Sequence, residues 1–161
     1  VKVLLFLDVG GSMDPHITVA EELFSAARAE FKHLEHYYFH NCLYEGVWRD
    51  NARRWTERLP TWDLLRSYGS DWKCIVVGDA AMSPYEITHP GGSVEHFNDE
   101  AGGIWLKRLT AAFPRLAWLN PTPPEAWGYT YSTQLIRELI DDRMYPMTLE
   151  GLEAAMGQLA R

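Results

Sequence analysis

Cysteine is nearly absent: the 161-residue chain has two, Cys42 and Cys74. One pair is too few for a disulfide framework. Each lies in or beside an apolar, strand-like run, so both are expected as buried free thiols that pack as small hydrophobes. A basic stripe is also missing. Fifteen Lys and Arg stand against 22 Asp and Glu, for a net charge of -7, and such a surface does not track nucleic-acid phosphates. The densest basic group, Arg49, Arg53, Arg54 and Arg58, alternates with Asp50 and Glu57 at helical spacing and reads as a solvated helix face. No window approaches the roughly 18–20 apolar residues of a membrane span, and no charged-apolar-small leader pattern opens the chain. A cytoplasmic protein without membrane or nucleic-acid partners is the resulting expectation. There is no internal repeat and no low-complexity tract. The length suits one domain over residues 1–161, and a strand beginning within two residues of Val1 is what a domain cut from a longer polypeptide would show.

What is present is apolar and aromatic. Hydrophobic residues make up 47%, with seven Trp and eight Tyr, enough for one sizeable core. "KVLLFLD" (2–8), "KCIVVGD" (73–79) and "RLAWLNP" (115–121) are continuous apolar runs of the kind that parallel strands show when both faces are covered. Ala20, Leu23, Phe24, Ala27, Phe31 and Leu34 recur at helical steps, which predicts one helix through residue 34. Residues 35–41 and 43–50 alternate as two strands of a hairpin, the second at the sheet edge. Residues 49–60 read as a short helix ended by Pro60, 61–69 as another, and 80–98 as a long irregular segment. A helix over 99–113 turns Ile104, Trp105, Leu109 and Ala112 inward. After an irregular crossing, residues 133–142 and 148–160 close the chain as helices. The last is opened by Thr148, with Gly151 where a capping box wants Glu or Gln. Strand and helix alternate, so the expected fold is α/β: a Rossmann-like, doubly wound, mainly parallel sheet with helices on both faces.

In such sheets ligands bind beyond the carboxyl ends of the strands, at the switch in strand order. Asp8 ends the first buried run and Asp79 another, so both carboxylates project to one edge, where they repel unless one is protonated or a cation sits between them. Ser12 follows Asp8 across a Gly-Gly turn that can fold its hydroxyl back to the same point. Oxygen donors of this kind suit a hard divalent ion such as magnesium. Asp8 and Ser12 alone read equally as a helix-capping turn; Asp79 shifts the balance.

"LFLDVGGSMDPHI" (5–17) resembles the first motif of von Willebrand factor A domains, an Asp-x-Ser-x-Ser pattern after the first strand, and "CIVVGDAAMSPYEI" (74–87) resembles their later strand ending in Asp. Met13 and the "GDAAMSPYE" loop are most similar to the bacterial CoxE-like branch. The resemblance implies a metal-ion-dependent adhesion site, with Asp8, Ser12 and Asp79 as ligands and a threonine between them in the chain. Thr61 is the best-placed threonine, with Thr56 as the alternative, and Thr61 also reads as a helix N-cap. Gly10 stands where the family has its first serine, so one hydroxyl ligand is missing and a water would replace it. The resemblance further implies a non-enzymatic adaptor with no catalytic residues. Its Mg2+, or Mn2+ or Ca2+, would accept an Asp or Glu from a partner protein, and a MoxR-type AAA+ ATPase is the partner class. Loops 10–16, 61–63 and 80–98 would set specificity.

Two other readings stand beside it. A haloacid-dehalogenase-like, magnesium-dependent phosphohydrolase also carries an Asp after its first strand, but wants a second acid at position 10. A von Willebrand factor A domain with a degenerate, metal-free site is the other, and restoring serine at position 10 is the natural way to separate a weakened site from a lost one. Six histidines invite zinc, but only His36 and His40 share a strand face and no third ligand is placed by spacing; His89 and His96 read as solvent-facing. Trp62 and Trp127 sit beside loops near the expected metal edge, where either would line a recognition surface.

Overall fold

The computed structural model describes residues 2–52, 57–93 and 97–160. Among these residues seven strands form one mixed sheet: β1 (Lys2–Asp8), β2 (His33–Phe39), β3 (Gly46–Trp48), β4 (Arg58–Pro60), β5 (Lys73–Val77), β6 (Leu116–Asn120) and β7 (Met144–Pro146), in the spatial order β4-β3-β2-β1-β5-β6-β7. β1, β2, β5, β6 and β7 run parallel, and β3 and β4 add an antiparallel ribbon to the outer side of β2. The chain moves outward from β1 to β4, then returns to place β5 on the other flank of β1. The order therefore switches direction at the β1/β5 pair, where Leu7 lies opposite Val77.

Among the described residues there are six α-helices: α1 (Ile17–Ala27), α2 (Thr61–Ser67), α3 (Pro84–Thr88), α4 (Gly102–Ala112) and α5 (Tyr131–Leu139) lie between strands, and α6 (Leu149–Leu159) follows β7. Side chains alternate across a strand, so β1 feeds two cores. Val3, Leu5 and Leu7 join Ile75, Val77, Ala117 and Leu119 beneath Ala20 and Phe24 of α1 and Leu152, Ala155 and Leu159 of α6. Leu4 and Phe6 join Tyr37, Cys74, Val76 and Trp118 beneath Leu64 of α2, Ile87 of α3, Trp105 and Leu109 of α4, and Ile136 of α5. Both faces of the central strands are covered, which is why their sequences are apolar throughout.

Several expected boundaries move. The first helix stops at Ala27, passes through a 3-10 turn at Arg28–Glu30, and gives way to β2 at His33. Phe31 and Leu34 nevertheless bury against the same core as the helix stripe, so extended residues mimic a helical period. The hairpin is spread by a loop over 40–45, where Asn41 takes φ 61. The second strand is not the edge, because β4 pairs outside it. The helix expected over 49–60 ends as β4 instead: Arg58 pairs with Trp48 and its side chain packs over Gly46, where an added Cβ would come within 2.3 Å of it, so the absent side chain lets the ribbon close. Arg53 and Arg54 of the expected basic face lie outside the described residues. Ile104 is 41% exposed, against the inward placement expected for it, while Trp105 and Leu109 are buried as expected. The segment 80–98 contains α3, started by the Ser83 hydroxyl accepting from the Tyr85 N–H. β7 is a seventh strand that the pattern did not mark. Thr148 does cap α6, its hydroxyl accepting from the Gly151 N–H at 3.0 Å.

Candidate metal centre

Asp8, the last residue of β1, and Asp79, two residues beyond β5, lie just past the end of the ladder between these two adjacent strands and are 1% and 4% exposed. Gly78 separates β5 from Asp79 and packs on Asp8: a Cβ added there would meet the Asp8 Cβ at 3.2 Å and its Oδ2 at 3.3 Å, with Trp118 at 3.3 Å. The Trp118 indole N–H holds this passage by donating to the Gly78 carbonyl at 2.8 Å. The Asp8 carboxylate accepts the Asn41 N–H on Oδ1 at 2.9 Å.

After Asp8 the chain turns through Gly10, at φ 82 and ψ 166, and Gly11, at φ 55, into a 3-10 turn over Gly11–His16. This turn carries Ser12 back across the strand ends, and its hydroxyl donates to Asp79 Oδ2. Behind it, the His40 ring holds the Val9 carbonyl through Nδ1 at 2.8 Å. The backbone of Gly10 lies in a region that only glycine occupies without strain. Position 10 therefore shapes the turn, and serine there, the substitution that separates a weakened site from a lost one, is a strained replacement.

Asp79 begins a tight turn of its own. Its Oδ1 accepts the Ala81 N–H at 3.0 Å, and Ala80 takes the left-handed conformation at φ 58. That unfavourable backbone is held from α5: the Ala80 carbonyl accepts from Ser132 Oγ at 2.7 Å and Thr133 Oγ1 at 3.1 Å, and the Met82 N–H donates to Ser132 Oγ at 3.1 Å. Asn120, at the end of β6, donates to the Asp79 carbonyl at 3.0 Å.

Asp8, Ser12 and Asp79 are thus gathered at one edge. Thr61 joins them at one remove. It is buried as the first residue of α2, with Pro60 in the cap position, so it does not serve as the expected N-cap. Its N–H donates to the Glu45 carbonyl at 2.8 Å and its hydroxyl to the Tyr44 carbonyl at 2.5 Å. Tyr44 in turn donates its phenol to Glu86 Oε1 at 2.8 Å, and Glu86 Oε2 accepts from Asn41 Nδ2 at 2.7 Å. Thr61 is therefore linked to Asp8 through Tyr44, Glu86 and Asn41. Thr56, the alternative, lies outside the described residues. Sequence patterning did not mark Glu86, because an acid in a Pro-rich irregular segment reads as solvated. The one available signal was Pro84 after Ser83, a helix-start pattern that turns the following residues inward.

The donors fit a hard cation: two carboxylates and a hydroxyl, all oxygen. Among the described residues no Lys or Arg is buried. Also among the described residues, no group of three or more His, Cys, Asp or Glu is placed to hold a metal. The pair Asp8 and Asp79 with Ser12 falls below that count by composition. Of the histidines, His36 and His89 are exposed and His40 is buried; His96 lies outside the described residues. Trp62 is 40% exposed, edge-on to Trp105 with Arg66 and Arg108 over its ring. Trp127 is buried, its indole donating to the Thr122 carbonyl at 2.9 Å, and lines no surface. Among the described residues no helix is long and apolar enough to cross a membrane.

Comparison with family models, with curated proteins and with solved structures finds no match for this chain.

Proposed function

We propose that the chain is a metal-dependent protein-binding module of the von Willebrand factor A type, similar to the CoxE-like branch, built on a Rossmann-like, doubly wound sheet. The observation that carries this reading is the bond from Ser12 to Asp79, next to Asp8, at the point where the strand order reverses. Three oxygen donors from two chain-distant turns converge where an α/β sheet binds its ligands. Asp8, Ser12 and Asp79 would hold Mg2+, with Mn2+ or Ca2+ as substitutes, and Thr61 would support the site from the Tyr44 side. When bound, the ion supplies a positive centre with open positions for an incoming carboxylate. The protein's own work is to hold two acids together at one edge, as the Gly10–Gly11 turn and the Ala80 turn do. No catalytic role is assigned to any residue.

The partner in this proposal presents an Asp or Glu, and a MoxR-type AAA+ ATPase in the cytoplasm is the class to screen first. Buried, reduced Cys42 and Cys74 accord with such a compartment. Calorimetric titration with MgCl2 and MnCl2 tests the reading: saturable binding to the wild type, lost in Asp79→Ala, is expected. Identical flat traces for both proteins would sink it. A phosphatase screen in magnesium, with turnover abolished by Asp8→Asn, would favour the phosphohydrolase instead.

A further inference from the structure

Glu86 is 1% exposed and faces away from solvent on the short helix that follows the Asp79 turn. Such burial is costly for an acid unless its oxygens are satisfied, and Glu86 meets that demand with donors from the loop between β2 and β3. Asn41 Nδ2 donates to Oε2 at 2.7 Å, and the Tyr44 phenol donates to Oε1 at 2.8 Å and approaches the Glu86 carbonyl at 3.3 Å. Each of these donors is itself engaged with a candidate ligand. The backbone N–H of Asn41 donates to Asp8 at 2.9 Å, and the carbonyl of Tyr44 accepts the Thr61 hydroxyl.

We infer that Glu86 is a positioning residue of the metal centre, clamping Asn41 and Tyr44 so that Asp8 and Thr61 are held in register with Asp79. Asn41 shows how the clamp works. Its φ of 61 lies in the left-handed region, which asparagine tolerates but does not prefer. Held there by its amide, it aims its backbone N–H at Asp8 and sets the rotation of that carboxylate. Because Glu86 belongs to the same connection as Asp79, one side chain ties the segments bearing Asp8, Thr61 and Asp79. Both oxygens of Glu86 accept, whereas a glutamine there has only one accepting oxygen, so Glu86→Gln weakens the clamp. Outer groups that orient metal ligands commonly change affinity by about 10–100-fold when removed.

This inference rests on the metal-binding reading, so the experiment separates the two. Mn2+ affinity is measured on the whole chain for the wild type, Glu86→Gln and Asn41→Gly, alongside the melting temperature without metal. Asn41→Gly keeps the left-handed backbone and the N–H to Asp8 but removes the amide that Glu86 grips. The expected result is an affinity loss of about 10-fold or more in each, and a double variant no weaker than the poorer single one, since both break the same link. The Asn41 amide proton resonance, set by its bond to Asp8, should also move in metal-free Glu86→Gln. A purely structural role would lower the melting temperature and leave the affinity of the folded protein unchanged. Mn2+ binding at wild-type strength in both variants overturns the inference while the metal reading stands. No Mn2+ binding by the wild type overturns the metal reading and the inference with it.

Discussion

The Ser12 hydroxyl donates to the Asp79 carboxylate across 67 positions of chain, joining the turn after β1 to the turn after β5. The bond spans the place where the sheet changes direction, and it presets the spacing of two groups that a cation would need together. Ser12 itself is exposed, so water competes for the bond and its contribution to stability is modest. Ser12→Ala should lower unfolding free energy by about 0.5–1.5 kcal/mol, measured by urea denaturation. The same variant should weaken Mn2+ binding, since it removes a donor as well as the brace. Unchanged affinity would remove Ser12 from the ligand set.

Gly10 supplies a sharper test of the turn. Serine at this position would add the hydroxyl that the family motif carries, but it must adopt φ 82 and ψ 166. That conformation costs a residue with a Cβ on the order of 1–3 kcal/mol. Gly10→Ser should therefore reduce stability by that amount and fail to tighten Mn2+ binding, as followed by melting temperature and calorimetry. Tighter binding at undiminished stability would show that the turn can re-form around a serine ligand.

The central strands β1, β5 and β6 were legible because strands buried on both faces need apolar residues at every position, and a run such as Val3 to Leu7 fits no surface element. Asp8 and Asp79 were legible for the same reason, as acids abruptly ending such runs. β4 and β7 were not, since each has three residues, contains a proline, and exists only because a neighbour pairs with it. The end of α1 was obscured by Phe31 and Leu34, which serve the helix's core from an extended segment. Glu86 escaped notice because its burial depends on Asn41 and Tyr44, residues far away in sequence, and no local period records such a contact. The left-handed turn at Ala80 was equally silent, because alanine carries no mark of positive φ.

Cys42 and Cys74 offer a check on the core that is independent of any ligand. Both thiols are buried, and burial, the largest cause, pushes that of Cys42 up to about 12, with Glu86 and Asp8 adding to the rise; burial also raises Cys74. A thiol held protonated is a poor nucleophile, so neither should react with a thiol-specific disulfide reagent at pH 8 until the chain is unfolded. Where the folded pKa lies above the unfolded one, stability is intact below the unfolded value and declines as pH rises toward the folded value. For these thiols the decline should run from about pH 8.5, the ordinary thiol value, toward about 12 for Cys42. Rapid labelling of the folded protein at pH 8 would contradict this placement.

The Ala80 turn sets the direction of Asp79, and its strain gives the final prediction. Alanine at φ 58 sits where the Cβ crowds the carbonyl, at a cost of about 1–2 kcal/mol relative to the right-handed region. Ser132 and Thr133 offset that cost by holding the Ala80 carbonyl, and Ser132 also receives the Met82 N–H. Ser132 is buried, so replacing it leaves the Met82 N–H without that acceptor and the Ala80 carbonyl with one donor fewer. Ser132→Ala should therefore cost about 1–3 kcal/mol by the penalty for unpaired buried groups. Ala80→Gly acts in the opposite sense on the folded state, because glycine enters the left-handed region without strain, while the added freedom of the unfolded chain takes back part of the gain. In a Ser132→Ala background the same glycine should recover stability, since the backbone it relaxes is the one the serine restrains. Urea denaturation of the two single variants and the double variant measures this coupling. Strict additivity would show that Ser132 does not act on the Ala80 turn.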